Sequence, residues 1–176
     1  MVKAAAVVTG DGSELQSLID GLFFGEIPDF TVSAVVATER GSRALARSES
    51  AGIPGYEVDA AIFPNAATFT RVLTAKLLDL DADIAILVGV EPEPEEGLYR
   101  AFAGRCVCLR IARGTDTVSA AAVLADADGS EARRFGRVSV PAVPDESAAA
   151  LHRRLTENGA GQLLSDALKQ FMRDFH

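Results

Sequence analysis

The sequence predicts an α/β fold, doubly wound around a mostly parallel sheet and finished by an antiparallel hairpin and a helix. Three observations lead there. Strand-like and helix-like segments alternate along most of the chain. Two of the strand segments, Ala4 to Val8 and Ile84 to Val88, are continuous apolar runs, as expected of strands covered on both faces. The alternation then breaks at two consecutive β-rich segments joined through Asp128-Gly129, a hairpin signature.

The elements follow in order. Ala4 to Val8 is the first strand, and Leu15, Leu18, Ile19 and Leu22 fall at helical spacing directly after a glycine turn. Thr31 to Thr38 is β-rich. Arg43 to Ala51 is a helix that Gly52 and Pro54 end. A short strand covers Tyr56 to Val58. Asn65 caps a helix whose core face is Phe69, Val72, Leu73, Lys76, Leu77 and Leu80, the lysine by its stem. After Ile84 to Val88 come a short helix, Glu95 to Phe102, and a strand, Cys106 to Ile111. Val118 to Leu124 and Arg133 to Val140 form the hairpin. Ser147 or Asp145 opens a last helical region, interrupted at Asn158-Gly159 and resumed to Phe175.

Size and charge narrow the function. With 176 residues and 48% hydrophobic content, the chain is expected to be a single domain, 1–176, with a real core. A net charge of −8 disfavours nucleic acid and anionic membrane as partners, since both reward cationic surfaces. No apolar run reaches the roughly 20 residues of a membrane span. Met1-Val2-Lys3 leads straight into a strand without a signal-peptide pattern, so a cytoplasmic location is expected. Cys106 and Cys108 share one face of a strand, poorly placed to bridge each other, and read as small core residues. With His152 and His176 far from both, no metal site is expected. Neither histidine suggests catalysis: His152 falls on an amphipathic helix and His176 is the terminus.

The segment with most chemical content is Gly10-Asp11-Gly12-Ser13-Glu14. A strand, a glycine turn and a helix start make an anion site, because the first helical N–H groups lack internal partners and the helix dipole favours negative charge. Glu14 works against this reading, as a carboxylate competing for the same dipole. The segment is a poor dinucleotide fingerprint, with Leu15 at the third glycine position and Glu39 a faint ribose candidate. Open α/β sheets bind ligands beyond the carboxyl ends of their strands, which directs attention to the loops after Val8, Thr38, Val88 and Ile111. Arg110 and Arg113 lie at one such end. They form either a clamp for phosphate or carboxylate, or ion pairs with the Glu91 to Glu96 run. That run otherwise reads as a solvated acidic loop stiffened by Pro92 and Pro94. Arg133, Arg134 and Arg137 read as charge protecting a sheet edge.

The chain also resembles the phosphoribosylglycinamide (glycinamide ribonucleotide) formyltransferases of purine synthesis. Gly10-Asp11-Gly12-Ser13-Glu14-Leu15-Gln16 is similar to their G-N-G-S-N-L-Q. Ala34-Val35-Val36 through Ala51-Gly52-Ile53 matches their second strand and helix without a gap. Phe69, Leu77, Asp83 and Leu87-Val88-Gly89 resemble the segment ending in L-A-G, and Ala103-Gly104-Arg105 resembles the A-G-R before the catalytic strand. The resemblance implies a formyltransferase-like, Rossmann-like fold. It also implies phosphate and substrate binding at Gly10, Gly12, Ser13 and Glu14, and a transferase using 10-formyltetrahydrofolate. That folate is implied by resemblance alone; no residue pattern specifies a cofactor.

The departures fall on the chemistry. Where the family has N-I-H, with an Asn and a His that assist amine attack, this chain has Cys108-Leu109-Arg110. A Cys supplies no amide donor, and an Arg stabilises an anion but stays charged. The loop carrying a second family His is shortened to Arg113-Gly114-Thr115-Asp116. The folate-contacting M-R-I-L is replaced by Glu91-Pro92-Glu93-Pro94-Glu95-Glu96, whose carboxylates repel a polyglutamylated folate. Asp128 stands for the family Asp before Gly-Gly, or is a plain turn residue, and Glu157 stands for a ribose-contacting Glu. The sequence therefore points to a divergent family member, a pseudoenzyme candidate that binds a phosphorylated small molecule through Gly12, Ser13, Arg110 and Arg113, with formyl transfer weak or lost. The alternatives are an active formyltransferase with a rearranged site, and a non-catalytic regulatory or interaction protein. A homodimer stays open.

Overall fold

The computed structural model describes residues 1–175; His176, which the sequence left without a role, lies outside them. Seven strands form one sheet in the order β3-β2-β1-β4-β5-β6-β7. They are β1 (Val2–Val8), β2 (Phe30–Ala37), β3 (Gly55–Glu57), β4 (Ile84–Val88), β5 (Cys106–Arg113), β6 (Thr117–Ala125) and β7 (Glu131–Pro141). The first five are parallel, and β6 and β7 run antiparallel. The helices are α1 (Ser13–Phe23), α2 (Arg43–Ser50), α3 (Ala66–Asp79), α4 (Glu96–Ala101), α5 (Ala148–Glu157) and α6 (Ala160–Asp174), with a 3₁₀ turn at Ala60–Ile62. Among the described residues no helix is long and apolar enough to cross a membrane.

Local chemistry sets the helix boundaries. Ser42 caps α2 by accepting from the Ala44 N–H, Asn65 caps α3 through Thr68, and Ser147, rather than Asp145, caps α5 through Ala150. Gly159, at φ 104°, breaks the last helical region into α5 and α6. One expectation is corrected: Val72, placed on the core face of α3, is 40% exposed, while Phe69, Leu73 and Leu77 carry that face. The hairpin of β6 and β7 forms as the turn chemistry predicts. The short segment Gly114 to Asp116 joins β5 and β6 as a second antiparallel pair.

Each sheet face buries its own core. α1, α5 and α6 cover one face through Leu15, Leu18, Leu151, Leu155, Leu164 and Leu168. α3 and α4 cover the other through Phe69, Leu73, Leu77, Leu98, Tyr99 and Phe102. Strand alternation sends Val107 and Leu109 to the first face and Cys106 and Cys108 to the second. Arg133 and Arg134 sit exposed on the edge strand β7, paired with Asp174 and Glu131. This covering has a direct test by urea denaturation. Leu77→Ala is expected to cost about 2–5 kcal/mol, and Val72→Ala about 0.5 kcal/mol or less.

Candidate functional site

The sheet winds outward in both directions from the β1–β4 pair: β2 and β3 lie on one side, β5 to β7 on the other. The carboxyl ends of β1 and β4 are therefore the switch point at which such sheets open a crevice. Hydrogen bonds stitch the three loops there together. The Thr9 and Thr38 hydroxyls lie 2.6 Å apart, and the Glu91 N–H donates to Thr9 Oγ1 at 3.0 Å. Two clusters of polar side chains flank this seam.

The first is the glycine loop. Gly10 and Gly12 both have positive φ, at 99° and 80°, and Gly12 opens α1 from the left-handed region. The donors expected to cradle an anion are already engaged. The Gly10 N–H donates to Glu39 Oε1 at 2.6 Å, and the Ser13 N–H and Oγ–H donate to Asp11 Oδ1 at 3.0 and 2.6 Å. Asp11 is buried and held in turn by Arg47, whose Nε donates to its carbonyl at 2.8 Å. Negative charge thus sits where the dipole favours it, supplied by the chain itself.

Glu14 faces away from any ligand on that loop. It is wholly buried, and its Oε1 lies 2.7 Å from Nδ1 of His152 on α5, also buried. Its Oε2 is buried without a partner among the described residues. The His152 ring wedges between the two loops of the switch point. A Cβ on Gly10 would stand 2.9 Å from its Cδ2, and a Cβ on Gly89 would stand 2.7 Å from its Cε1. Burial alone would pull the imidazole pKa down. The hydrogen bond and charge of Glu14, with Asp11 and Glu91, outweigh it and hold the pKa above the ordinary histidine value.

The second cluster is a cleft of about 300 Å³ beyond the ends of β4 and β5, lined by Leu87, Gly89, Glu93, Tyr99, Cys108 and Arg110. Arg110 continues the row of Cys106 and Cys108 on β5. Its Nη2 donates to the Gly129 carbonyl, lies 3.7 Å from Glu93 Oε1, and its Nε is buried without a partner among the described residues. The guanidinium also stands 5.6 Å from the Tyr99 ring centre. Burial, reinforced by the nearby Cys108 thiol, pushes the Tyr99 phenol well above its usual range. The Cys108 thiol is held below its usual value by a hydrogen bond from Cys106, against burial, with help from Arg110. The two sulfurs are 3.7 Å apart and unbridged.

The remaining candidates take up simpler positions. Arg113 pairs with Glu91 at the half-exposed rim, an arrangement worth about 0–1 kcal/mol. Asp128 is exposed in the β6–β7 turn, accepting from the N–H and hydroxyl of Ser130. The turn still reaches the cleft, since Gly129 packs against Tyr99 and its carbonyl holds Arg110. Glu157 is exposed at the end of α5. The structure thus brings Arg110, Gly129 and the acidic loop together in one cleft and turns Glu14 inward.

Sequence reasoning missed His152, Tyr99 and the loop contact of Glu39. No local signal marks His152, 138 positions from Glu14. The two close-approach glycines, Gly10 and Gly89, were the nearest thing to one. A 10-formyltetrahydrofolate molecule does not fit the residues present. Glu91, paired with Arg113, and exposed Glu93, 3.7 Å from Arg110, rim the cleft, so the polyanionic folate tail meets like charge.

Two measurements follow. Removing one partner leaves the other buried and uncompensated, so Glu14→Ala or His152→Ala is expected to cost about 3–5 kcal/mol in chemical denaturation. The raised His152 pKa also makes stability pH-dependent. Its contribution is fully present below the unfolded histidine value of about 6.5 and is lost as pH rises through the folded value. Denaturation curves across that range should show the decline in the native chain and not in His152→Gln.

No family model matches this sequence, and no curated protein does. Solved structures do match in fold. Glycinamide ribonucleotide transformylase 1 from Symbiobacterium toebii superposes with a TM-score of 0.78 at 21% identity, over 99% of this chain and 89% of that one. The same enzyme from Geobacillus kaustophilus gives 0.74 at 20% identity, over 97% and 98%. Phosphoribosylglycinamide formyltransferase from Bacillus halodurans gives 0.77 at 14% identity, over 99% and 97%. The chain has the fold of the glycinamide ribonucleotide formyltransferases: a seven-stranded, mostly parallel sheet with antiparallel C-terminal strands, flanked by helices.

Proposed function

We propose that this protein is a divergent formyltransferase-like binder of a small anionic molecule, with Arg110 as the anchor and formyl transfer weak or lost. The observation that carries this reading is the state of the Arg110 guanidinium. It is part-buried in the cleft wall, its Nε lacks a partner among the described residues, and its nearest carboxylate, on exposed Glu93, stands off at 3.7 Å. A ligand carboxylate or phosphate that displaces Glu93 gains a charge-assisted bond in a shielded place. Tyr99 and the Gly129 carbonyl hold the guanidinium in position for it.

A phosphorylated ligand remains within this reading, with its phosphate on Arg110. The glycine loop contributes less than its sequence suggests, because Asp11 and Glu39 satisfy its donors. A phosphate there has to displace Glu39, the exposed one of the two. Weak transfer follows from the residue types. Arg110 does not titrate near neutral pH, Cys108 is no amide donor, and the acidic rim disfavours folate. A role in protein contacts is the second reading. Phe23 and Phe24 favour it: they pack edge to face at the end of α1, yet are 84% and 75% exposed.

A thermal-shift series with glycinamide ribonucleotide, ribose 5-phosphate, inorganic phosphate, formate and a folate analogue tests the reading. Anions should stabilise the native chain, by about 2.7 kcal/mol at a hundredfold excess over Kd, and Arg110→Ala should abolish the shift. Arg113→Ala should reduce it less. Formyl transfer to glycinamide ribonucleotide should run at least about 10²-fold below a family member that has its general base. A rate within tenfold of such an enzyme overturns the loss of activity, and no shift with any anion moves the weight to protein contacts.

A further inference from the structure

The short β3 leaves one face of the molecule unfinished. It pairs only with Val35, Val36 and Ala37, so the first half of β2 carries no strand on its outer side. Over that gap, between α1 and α2, lies a groove of about 460 Å³ whose lining includes Val32 and Ile53. Its walls are two helix faces. Gln16, Ile19, Asp20 and Phe23 stand at the i, i+3, i+4, i+7 spacing of a single α1 face, and Arg47 and Ser50 face them from α2. A smaller hollow shares Gln16, Arg47 and Ser50 and carries the groove on to Arg43.

A protrusion stands beside this groove. Phe23 and Phe24 end α1 with their rings 84% and 75% exposed, packed edge to face on each other. Charge is graded along the same line. α1 runs back against the strands, so its rings lie toward the amino ends of the sheet, with exposed Asp20 and Asp29. Arg43, also exposed, opens α2 near the carboxyl ends. Neither Arg43 nor either aspartate forms an ion pair among the described residues. Asp20 accepts only from the Gln16 amide, at 2.9 Å.

We propose that this face is the contact between two copies of the chain, related by a two-fold axis across the groove. In a two-fold contact a patch meets itself reversed, so whatever it presents at one end must suit its other end. Reversal brings the aromatic pair of each copy to the groove of the other, and sets Arg43 opposite the aspartate end. A plain apolar patch suits many partners. A protrusion, a groove and opposite charges on one face suit a reversed copy of that face. The area is of the right order: the four rings of a pair remove on the order of 600 Å² from water. That is over half of the roughly 1,000 Å² that marks a specific interface. The groove shares no lining residue with the Arg110 cleft, so the proposal stands apart from the anion reading.

Sedimentation velocity on the full chain tests it. The mass should climb from 18.5 kDa towards twice that value as concentration rises. Phe23→Ala and Phe24→Ala, each lost twice per pair, should raise the dissociation constant by at least about 30-fold. Because both rings are exposed, these variants should unfold at the native temperature when dilute, which separates lost association from lost fold. Arg43→Glu and Asp20→Lys should each weaken the pair by about tenfold, two contacts being reversed per pair. The double variant should recover most of that loss, since each reversed charge then meets its opposite on the other copy. A mass that stays at 18.5 kDa at every concentration overturns the proposal. So does a dimer indifferent to both phenylalanine variants, which forms through another face, and so does a double charge variant whose losses simply add.

Discussion

The contact between Glu14 and His152 is the interaction on which the upper edge of the sheet depends. It joins the first turn of α1 to the second turn of α5 across 138 positions, and both side chains are removed from water. A buried charged pair contributes little net stability by itself, because desolvation consumes most of the Coulombic gain. Its consequence is positional. With Nδ1 committed to Glu14, the ring can stand in one orientation, and that orientation leaves no room for a side chain at Gly10 or Gly89. Both glycines sit at φ above zero, at 99° and 58°, which a β-carbon would resist in any case. Loop shape, helix placement and imidazole orientation are thus one constraint seen from three sides.

Charge placement around this contact explains why a motif that reads as an anion cradle is closed to easy occupation. Helix N-terminal donors are satisfied by whichever anion is nearest, and a covalently attached carboxylate has the advantage of local concentration. Asp11 lies two residues from Ser13, and Glu39 arrives from the end of the neighbouring strand. The same logic runs in reverse on the other side of Gly89. There, Arg110 is held by a carbonyl, an aromatic face and a distant carboxylate, so its charge is only partly matched. Two adjacent sites with opposite electrostatic character follow: one internally neutralised, the other with an arginine charge only partly matched.

Much of this architecture was legible in the chain. The alternation of apolar runs with helical periodicity, the caps Ser42 and Asn65, the break at Gly159 and the hairpin after Asp128-Gly129 are local signals, and the elements they specify all form. The same holds for Cys106 and Cys108 on one strand face, since a period of two fixes it. The choice between an arginine clamp and ion pairs with the glutamate run could not be made locally. It depends on how far β5 extends beyond the end of β4, and the folded chain pairs Glu91 with Arg113 closely and Glu93 with Arg110 loosely.

The sequence by itself determined the class of fold and the order of its elements. Each of these is written in short-range pattern or residue identity, and neither needs distant contacts. Only the tertiary structure decided which polar groups meet. Glu14 read as a first-turn carboxylate and His152 as one polar residue on an amphipathic helix, and each reading was locally sound. The partnership arises because α5 returns across the face of the sheet that α1 already covers, laying its second turn over the switch point. Such a meeting is set by the packing of whole elements, which no spacing along the chain encodes.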